Sequence, residues 1–482
     1  MTTTTTSSIP NIVLVDDYPP LNLSNENLEQ LKKLAIDWSL SHGLNIRPKN
    51  FNQQQSSSSV LHAPISLLPT PFPRKQFDLV VELQPLFNIL YHKLSNDHQL
   101  ISNVIEEISN VDDFIAKLYD IYLKIRKEGN IQPITLGIHR SDYLLHSSSL
   151  PNNEELKILQ STNYFNSSNL FQIENFINHE SISNMPKGIS VAHELYGSEN
   201  SVVLMVVQSD EWNIFDQRWI EYNLLKNHKI DLIRKTLLEI FLEGKLNEKT
   251  KALIINGKEV SVTYFRAGYR PGDYPSENEW NARLMIERSK SIKCPSISYQ
   301  LVGFKVFQQV LARPNIVEKY IKNPIDAKKI RSCFANLYQF HSNNDIFKSV
   351  IDNPNDYVMK PQREGGGNNL YGEEMVNTIK KLKSSSVSSS QELKKYIIMD
   401  LIKPPAISNI LLRKGELIKC KIISELGTFG VFISKKIKDD DDDGEEIIVN
   451  ECIGNVLRSK SSEIKEGGVA IGLAVIDSPL LI

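Results

Sequence analysis

The run Lys360-Pro-Gln-Arg-Glu-Gly-Gly-Gly-Asn-Asn-Leu-Tyr-Gly-Glu-Glu-Met375 constrains the fold of this chain more than any other stretch. Three consecutive glycines, Gly365, Gly366 and Gly367, stand between a short apolar run ending at Lys360 and a segment with Met375, Ile379 and Leu382 spaced for one helix face. Glycine lacks a Cβ, so backbone amides can close on an oxyanion, and Lys360 adds a compact positive charge. Glu364 abuts the strip. A carboxylate beside a phosphate is electrostatically unfavourable unless a cation bridges the two, as Mg²⁺ does. The pattern is neither GxxxxGKS/T nor GxGxxG, so it is not a P-loop or a dinucleotide fingerprint. Three glycines alone are more often a surface loop. With lysine, acid and amides together, the run reads as a nucleotide site.

A chain of 482 residues carries roughly three domains' worth of core when length is used as a prior. Lys+Arg total 55 and Asp+Glu 57, a net charge of −2, so no net field recruits nucleic acid or an anionic membrane. Cys294, Cys333, Cys420 and Cys452 follow no CxxC or zinc-like spacing and read as reduced thiols of an intracellular protein. Met1 to Ser8 lacks the basic and apolar regions of a secretory signal, and no apolar run is long enough to span a bilayer. The cytoplasm is the expected compartment.

Low-complexity stretches at 53–59, 147–149 and 384–390, and the acidic run 439–446, lack apolar content and read as solvated loops. Between them, helical spacing covers 25–36 and 99–128, the latter with Ile105, Ile108, Phe114, Leu118, Ile121 and Ile125 on one face. Ser201 to Gln208 is a buried-strand run. An amphipathic helix with Phe215, Trp219 and Tyr222 follows, then a strand near 229–232, an order that implies a parallel sheet. Asn256-Gly257 between two apolar runs signals a hairpin. The expected class is α/β. It divides into an N-terminal α/β part over 1–200, with 1–20 and 51–60 flexible, and a substrate-binding α/β domain over 201–305. A third part over 306–482 includes a mobile lid at 335–410 and a β-rich C-terminal segment.

Arg266 leaves the second strand of that hairpin and enters the loop Ala267-Gly-Tyr-Arg-Pro-Gly-Asp-Tyr-Pro275. Loops on a rigid sheet carry function, and a guanidinium fits a carboxylate bidentately. Arg266 therefore suits either an anionic substrate or a structural ion pair with a nearby acid. Arg140, in Arg140-Ser-Asp-Tyr143, and Arg458, ahead of Gly467-Gly-Val-Ala-Ile-Gly472, sit in comparable settings. Three loop arginines suggest a substrate with several carboxylates. No Ser/His/Asp or Cys/His arrangement is present, and His139, His193 and His341 are isolated.

Taken in order, these clusters resemble the eukaryotic glutathione synthetases, a family of ATP-grasp ligases, over about residues 118–479. The motifs are Arg140-Ser-Asp-Tyr143, Glu194-Leu-Tyr-Gly197, Asn213-Ile-Phe-Asp-Gln-Arg218, Tyr264-Phe-Arg-Ala-Gly-Tyr269, Cys294-Pro with Gln300-Leu, Lys360 to Met375, Ser424-Glu-Leu-Gly427 and Gly467-Gly-Val-Ala470. The resemblance implies an ATP-grasp-type fold and a homodimer that joins γ-glutamylcysteine to glycine, with ATP as co-substrate, Mg²⁺, and neither nucleic acid nor membrane as partner. It implies ATP contacts from Lys305, Lys360, Gly365, Gly366, Gly367, Asn368, Asn369, Tyr371, Lys460 and Glu466. Met399, Asp400, Leu401, Ile402 and Glu425 would surround adenine and ribose, and Glu364 would hold Mg²⁺. Peptide and glycine would meet Arg140, Glu211, Trp212, Asn213, Gln217, Arg266, Ala267, Gly268, Tyr269, Arg458, Val469 and Ala470. Trp212 stands where the family commonly has arginine. The chemistry agrees: activating a carboxylate as an acyl phosphate needs positioning, charge neutralisation and exclusion of water rather than a nucleophile triad.

The family's metal-binding segment, a glutamate and an asparagine on a strand after the Arg-Ser-Asp-Tyr motif, has two candidate positions here. One places it at Gln172 to Ser183, with Glu174 as the second Mg²⁺ carboxylate, Asn175 beside it, and a strand-like Leu170 to Ile173 ahead. It treats 147–168 as an insertion and the following helix as largely deleted between Ser183 and Lys187. The other uses Gln160 in Leu159-Gln-Ser-Thr162 and leaves no glutamate, removing a charge that a hard cation favours. The first keeps the charge and is preferred. Two functions stand: a working synthetase rebuilt around Glu174, or a degenerate paralogue that binds nucleotide or a partner subunit with little turnover. A ligase using another small amino acid in place of glycine is a lesser third.

Overall fold

A computed structural model describes residues 23–48, 59–147, 157–164, 181–211, 213–338, 346–362, 368–384, 392–439, 442–465, 467–469 and 472–482. The longest helix, Arg74–Asn96, lies on the largest sheet, and His98–Ser109 and Asp113–Glu128 pack beside it. Sequence spacing joined the last two over 99–128. The chain breaks them at Asp112, whose carboxylate accepts from the amides of Phe114 and Ile115 and starts a new helix. Arg74–Asn96 was hidden in the sequence by an interior Pro85 and an N-terminus without a side-chain cap.

Seven strands form the largest sheet, in the order Ile407–Arg413, Ile65–Ser66, Val475–Asp477, Asp442–Ser461, Glu416–Asp439, Ile134–His146 and Lys157–Tyr164. Ile407–Arg413 also pairs with Glu416–Asp439, so the pairing closes on itself. Apart from the short Ile65–Ser66 contact with Val475–Asp477, these ladders are antiparallel. The β-rich C-terminal segment is dominated by one long hairpin of Glu416–Asp439 with Asp442–Ser461. Much of the acidic run therefore lies on strand arms rather than in a solvated loop, and Glu445 meets His92 Nε2 at 2.8 Å.

The second sheet runs Leu232–Lys235, Ser201–Val206, Lys258–Phe265, Leu253–Ile255, Gly244–Leu246, with Ile292–Cys294 also on Lys258–Phe265. Ser201–Val206 is parallel to both its neighbours, as the strand–helix–strand pattern predicts. Asn256 (φ 51°) and Gly257 (φ 77°) are both left-handed, the geometry of a two-residue hairpin turn. The helix Ile214–Asn223 is amphipathic in the opposite sense to that expected. Ile214, Asp216, Gln217 and Ile220 are buried, while Trp219 and Tyr222 are 44% and 54% exposed.

A third, four-stranded antiparallel sheet orders Leu337–Tyr338, Tyr396–Asp400, Tyr357–Pro361 and Leu370–Tyr371. The helix Gly372–Ser384 covers it through Met375 and Ile379, the face that the spacing predicted, against Met359 and Ile398. The stretch read as a deletion between Ser183 and Lys187 is instead inside a helix, Ser181–Tyr196, with Met185, Ile189 and Ala192 buried. Among the described residues no helix is long and apolar enough to cross a membrane.

Candidate active site

Between the four-stranded sheet and the largest sheet lies a cavity of about 370 Å³, within the usual range for small-molecule sites. Strand alternation aims its walls: Asp142 and Leu144 face it while Tyr143 enters the core, and the i, i+2 pairs Ile423 with Glu425, Arg458 with Lys460 and Val358 with Lys360 do the same. Lys305 comes from the first turn of the helix Lys305–Ala312. Of the residues singled out in the sequence, Lys305, Lys360, Asn369, Tyr371, Met399, Asp400, Leu401, Ile402, Glu425, Arg458 and Lys460 line this one cleft. Asn368 is exposed and does not line it. Glu174, Asn175, Trp212, Glu364, Gly365, Gly366, Gly367, Glu466 and Ala470 lie outside the described residues. Val469 turns its side chain into a core with Leu412 and Ile476, so only its backbone is offered to the loop.

The cleft is cationic. Lys305, Lys360, Arg458, Lys460 and Lys465 outnumber Asp142, Asp400 and Glu425. Arg140 grips Asp142 with Nε on Oδ1 and Nη2 on Oδ2, both at 2.9 Å. Arg458 Nη2 donates to Asp142 Oδ2 at 2.7 Å and to Glu425 Oε2 at 2.8 Å. Asp400 Oδ2 accepts from Asn336 Nδ2 at 2.7 Å. Asp142 and Glu425 thus serve to fix the arginines, and the lysines supply the charge for a polyanion. No cluster of three His, Cys, Asp or Glu able to hold a metal occurs among the described residues.

A second group gathers where the parallel strands Ser201–Val206 and Lys258–Phe265 end. Arg266 continues the ladder with its N–H on the Val206 carbonyl, and its Nη2 donates to Asp216 Oδ2 at 2.7 Å. Both side chains are buried. Burial disfavours the charged guanidinium, but Asp216 outweighs it and holds Arg266 above its ordinary range. The ion-pair reading of Arg266 is thus realised, yet Nε and Nη1, on separate edges of the guanidinium, stay buried without hydrogen-bond partners among the described residues. Glu211 accepts from the amide of Asn213 at 3.1 Å, and Gln217 accepts from Arg234. In the Ala267–Tyr269 turn, Asp273 Oδ2 accepts from the amides of Gly268 and Tyr269 at 2.8 and 3.2 Å. Gly268 has φ +94°, and a Cβ there would meet Tyr274 Oη at 3.0 Å.

The family model "Eukaryotic glutathione synthase, ATP binding domain" matches residues 25–160 and 152–481. The chain belongs to this family. A glutathione synthetase of Dictyostelium discoideum is 38% identical, covering 95% of this chain and 99% of its own length. That of Homo sapiens is 36% identical with 97% and 99% coverage, and a chloroplastic one of Solanum lycopersicum is 36% identical with 96% and 86% coverage. The same fold appears in a glutathione synthetase-like effector of Globodera pallida in its apo form, with a TM-score of 0.71 at 20% identity over 96% of this chain and 99% of that one. Within this glutathione synthase family member, the sequence reading passed over Asp142, Asp216 and Asp273. Asp142 stands two residues after Arg140 on a strand, a spacing that puts both on one face and was the available signal.

Proposed function

We propose that the chain joins γ-glutamylcysteine to glycine while ATP becomes ADP and phosphate. The observation that carries this is the single cationic cleft lined by the nucleotide candidates on one side and by Arg458 on the other. A carboxylate oxygen of the dipeptide attacks the γ-phosphorus, the bond to ADP breaks, and an acyl phosphate forms. The glycine amine adds to that carbonyl, the tetrahedral species expels phosphate, and the amine proton leaves to solvent. Lys305, Lys360 and Lys460 hold the phosphates, Met399 to Ile402 and Glu425 hold the nucleoside, and Arg266 with Arg140 and Arg458 hold the peptide carboxylates. Mg²⁺, when bound, neutralises charge on the transferring phosphoryl group. Glu364, with Glu174 and Asn175, would hold it, and the arginine-occupied acids Asp142 and Glu425 do not compete for that role.

The segment 335–410 acts as the lid and 201–305 as the substrate domain. The degenerate alternative rested on the altered 156–187 stretch; similarity over nearly the whole chain to proteins named glutathione synthetase supports the working enzyme instead. We also read the enzyme as a cytoplasmic homodimer. Trp219, Tyr222 and Leu225 expose an apolar stripe, and Trp219 rests on Gly43 beside the helix Asn25–Ser41, whose Leu31, Leu34 and Leu40 are also exposed. In the deciding experiment the purified chain releases ADP with Mg²⁺-ATP only when γ-glutamylcysteine and glycine are both present. ATP binding without ADP release would reject the reading, and light scattering at the monomer mass would reject the dimer.

A further inference from the structure

We propose that Gln300 is a positioning residue that ties the peptide-binding turn Ala267–Tyr269 to the helix bearing Lys305; this rests on the ligase reading above. Gln300 is 2% exposed, in the helix Ile297–Val302, and does not line the cleft. Its Nε2 donates to the Gly268 carbonyl at 2.9 Å, and its Oε1 accepts from Arg283 Nη1 at 2.7 Å. Arg283 is itself fully buried, bonded through Nε to Glu287 at 3.0 Å and stacked 4.2 Å over Phe265. The amide is therefore locked at both ends, since a flip would put donor against donor at Arg283. Tyr274 Oη gives the same Gly268 carbonyl a second bond at 3.0 Å.

Only Gly303 and Phe304 separate this helix from Lys305–Ala312. That second helix has no side-chain cap of its own; Val306 N–H donates instead to Gln362 Oε1 at 3.0 Å. Gln362 stands two residues after Lys360, at the root of the glycine strip, and its own N–H is held by the Lys395 carbonyl at 2.9 Å. One short element thus grips the peptide turn through Gln300 and the root of the strip through Val306. A shift of the turn moves Lys305 and Lys360 with it.

Gln300→Glu keeps the volume and the acceptor for Arg283 but sets a carboxylate oxygen against the Gly268 carbonyl. Gln362→Met removes the acceptor for Val306 at similar volume, and Gln362→Glu restores one. ADP release by the full chain is measured against each substrate. Gln300→Glu is expected to raise the KM for γ-glutamylcysteine about tenfold and that for ATP about threefold, with kcat falling less. Gln362→Met is expected to raise both constants, the double variant to show less than the product of the single effects, and Gln362→Glu to recover most of the loss. Each variant moving only its nearer substrate, with effects that multiply, would overturn the proposal. If Gln300→Glu does not fold, the effect of Gln362→Met on the dipeptide KM decides. A wild-type chain that releases no ADP rejects the ligase reading separately. The tie is then read by calorimetric titration of ATP with and without γ-glutamylcysteine, wild type against Gln362→Met, and equal affinities would overturn it.

Discussion

Arg458 reaches Asp142 at 2.7 Å across an intervening strand, because Gly427 lies between them. In the register of the largest sheet Arg458 pairs with Glu425, and Asp142 pairs with Gly427. A Cβ on Gly427 would stand 2.7 Å from Asp142 Oδ1 and 3.5 Å from Arg140 Cδ. The bare backbone of the Ser424-Glu-Leu-Gly427 motif is what lets one acid hold two arginines.

Gly427→Ala therefore displaces Asp142 and frees both guanidinium groups from their anchor. Overpacking of this kind costs on the order of 1–3 kcal/mol, and mispositioned charges add to it. We expect a loss of about tenfold or more in kcat/KM together with a lowered Tm, read by steady-state kinetics and calorimetry. Wild-type kinetics in this variant would remove Asp142 from its anchoring role.

Arg266→Lys keeps a positive charge beside Asp216 but loses the fork. Nε and Nη1 are buried donors without partners among the described residues, and the dipeptide carboxylate is expected to take one of them. Charge-assisted hydrogen bonds contribute about 1.5–3 kcal/mol, so the KM for γ-glutamylcysteine should rise by roughly one to two orders of magnitude while that for ATP stays within a few fold. Titrating each substrate separately checks the split; an equal rise in both would make the residue structural.

Legibility followed locality. The Asn256-Gly257 turn and the strand Ser201–Val206 are written in adjacent residues, and both formed. The cleft candidates from Lys305 to Lys460 were implied by the family resemblance and lie around one cavity. Features that depend on distant partners were not legible. Trp219 and Tyr222 repeat at helical spacing, but spacing reports only that a face is apolar, not whether the same chain covers it. Nothing in the sequence tells that Gln362 caps a helix more than fifty residues earlier, or that Asp112 starts a new helix instead of continuing one.

Asp477 should make stability depend on acid pH. Its carboxylate is buried, with Oδ2 accepting from Thr70 Oγ1 at 2.5 Å and from Ser459, and Oδ1 accepting from the amide of Ser478 at 2.7 Å. Burial pushes its pKa up to about 6 from 3.8 despite those bonds. The folded state then holds this proton more tightly than the unfolded one, so its contribution is present at low pH and is lost as pH rises from about 4 to about 6. The difference amounts to on the order of 3 kcal/mol. Denaturant unfolding of wild type against Asp477→Asn across that window should show the gap shifting toward the variant as pH rises. A pH-independent gap would contradict the assignment.

The last prediction concerns the metal. The strand paired with the Arg140–Tyr143 edge is Lys157–Tyr164, inside the stretch read as an insertion, and it carries no acid. Gln160 within it is paired with Tyr143, 1% exposed, with its backbone N–H on the Cys333 carbonyl and its side-chain oxygen 3.5 Å from Gln308 Nε2. It does not line the cleft. A carboxylate at 160 would be buried outside the cleft, so Gln160→Glu is expected to lower Tm without reducing the Mg²⁺ needed for turnover. Glu174→Gln and Glu364→Gln, by contrast, should each raise the Mg²⁺ concentration for half-maximal turnover by about tenfold or more, with little change in Tm. A Mg²⁺ titration of ADP release in the three variants separates the two placements. If Gln160→Glu lowered the Mg²⁺ requirement and Glu174→Gln left it unchanged, the metal segment would belong to the Lys157–Tyr164 strand.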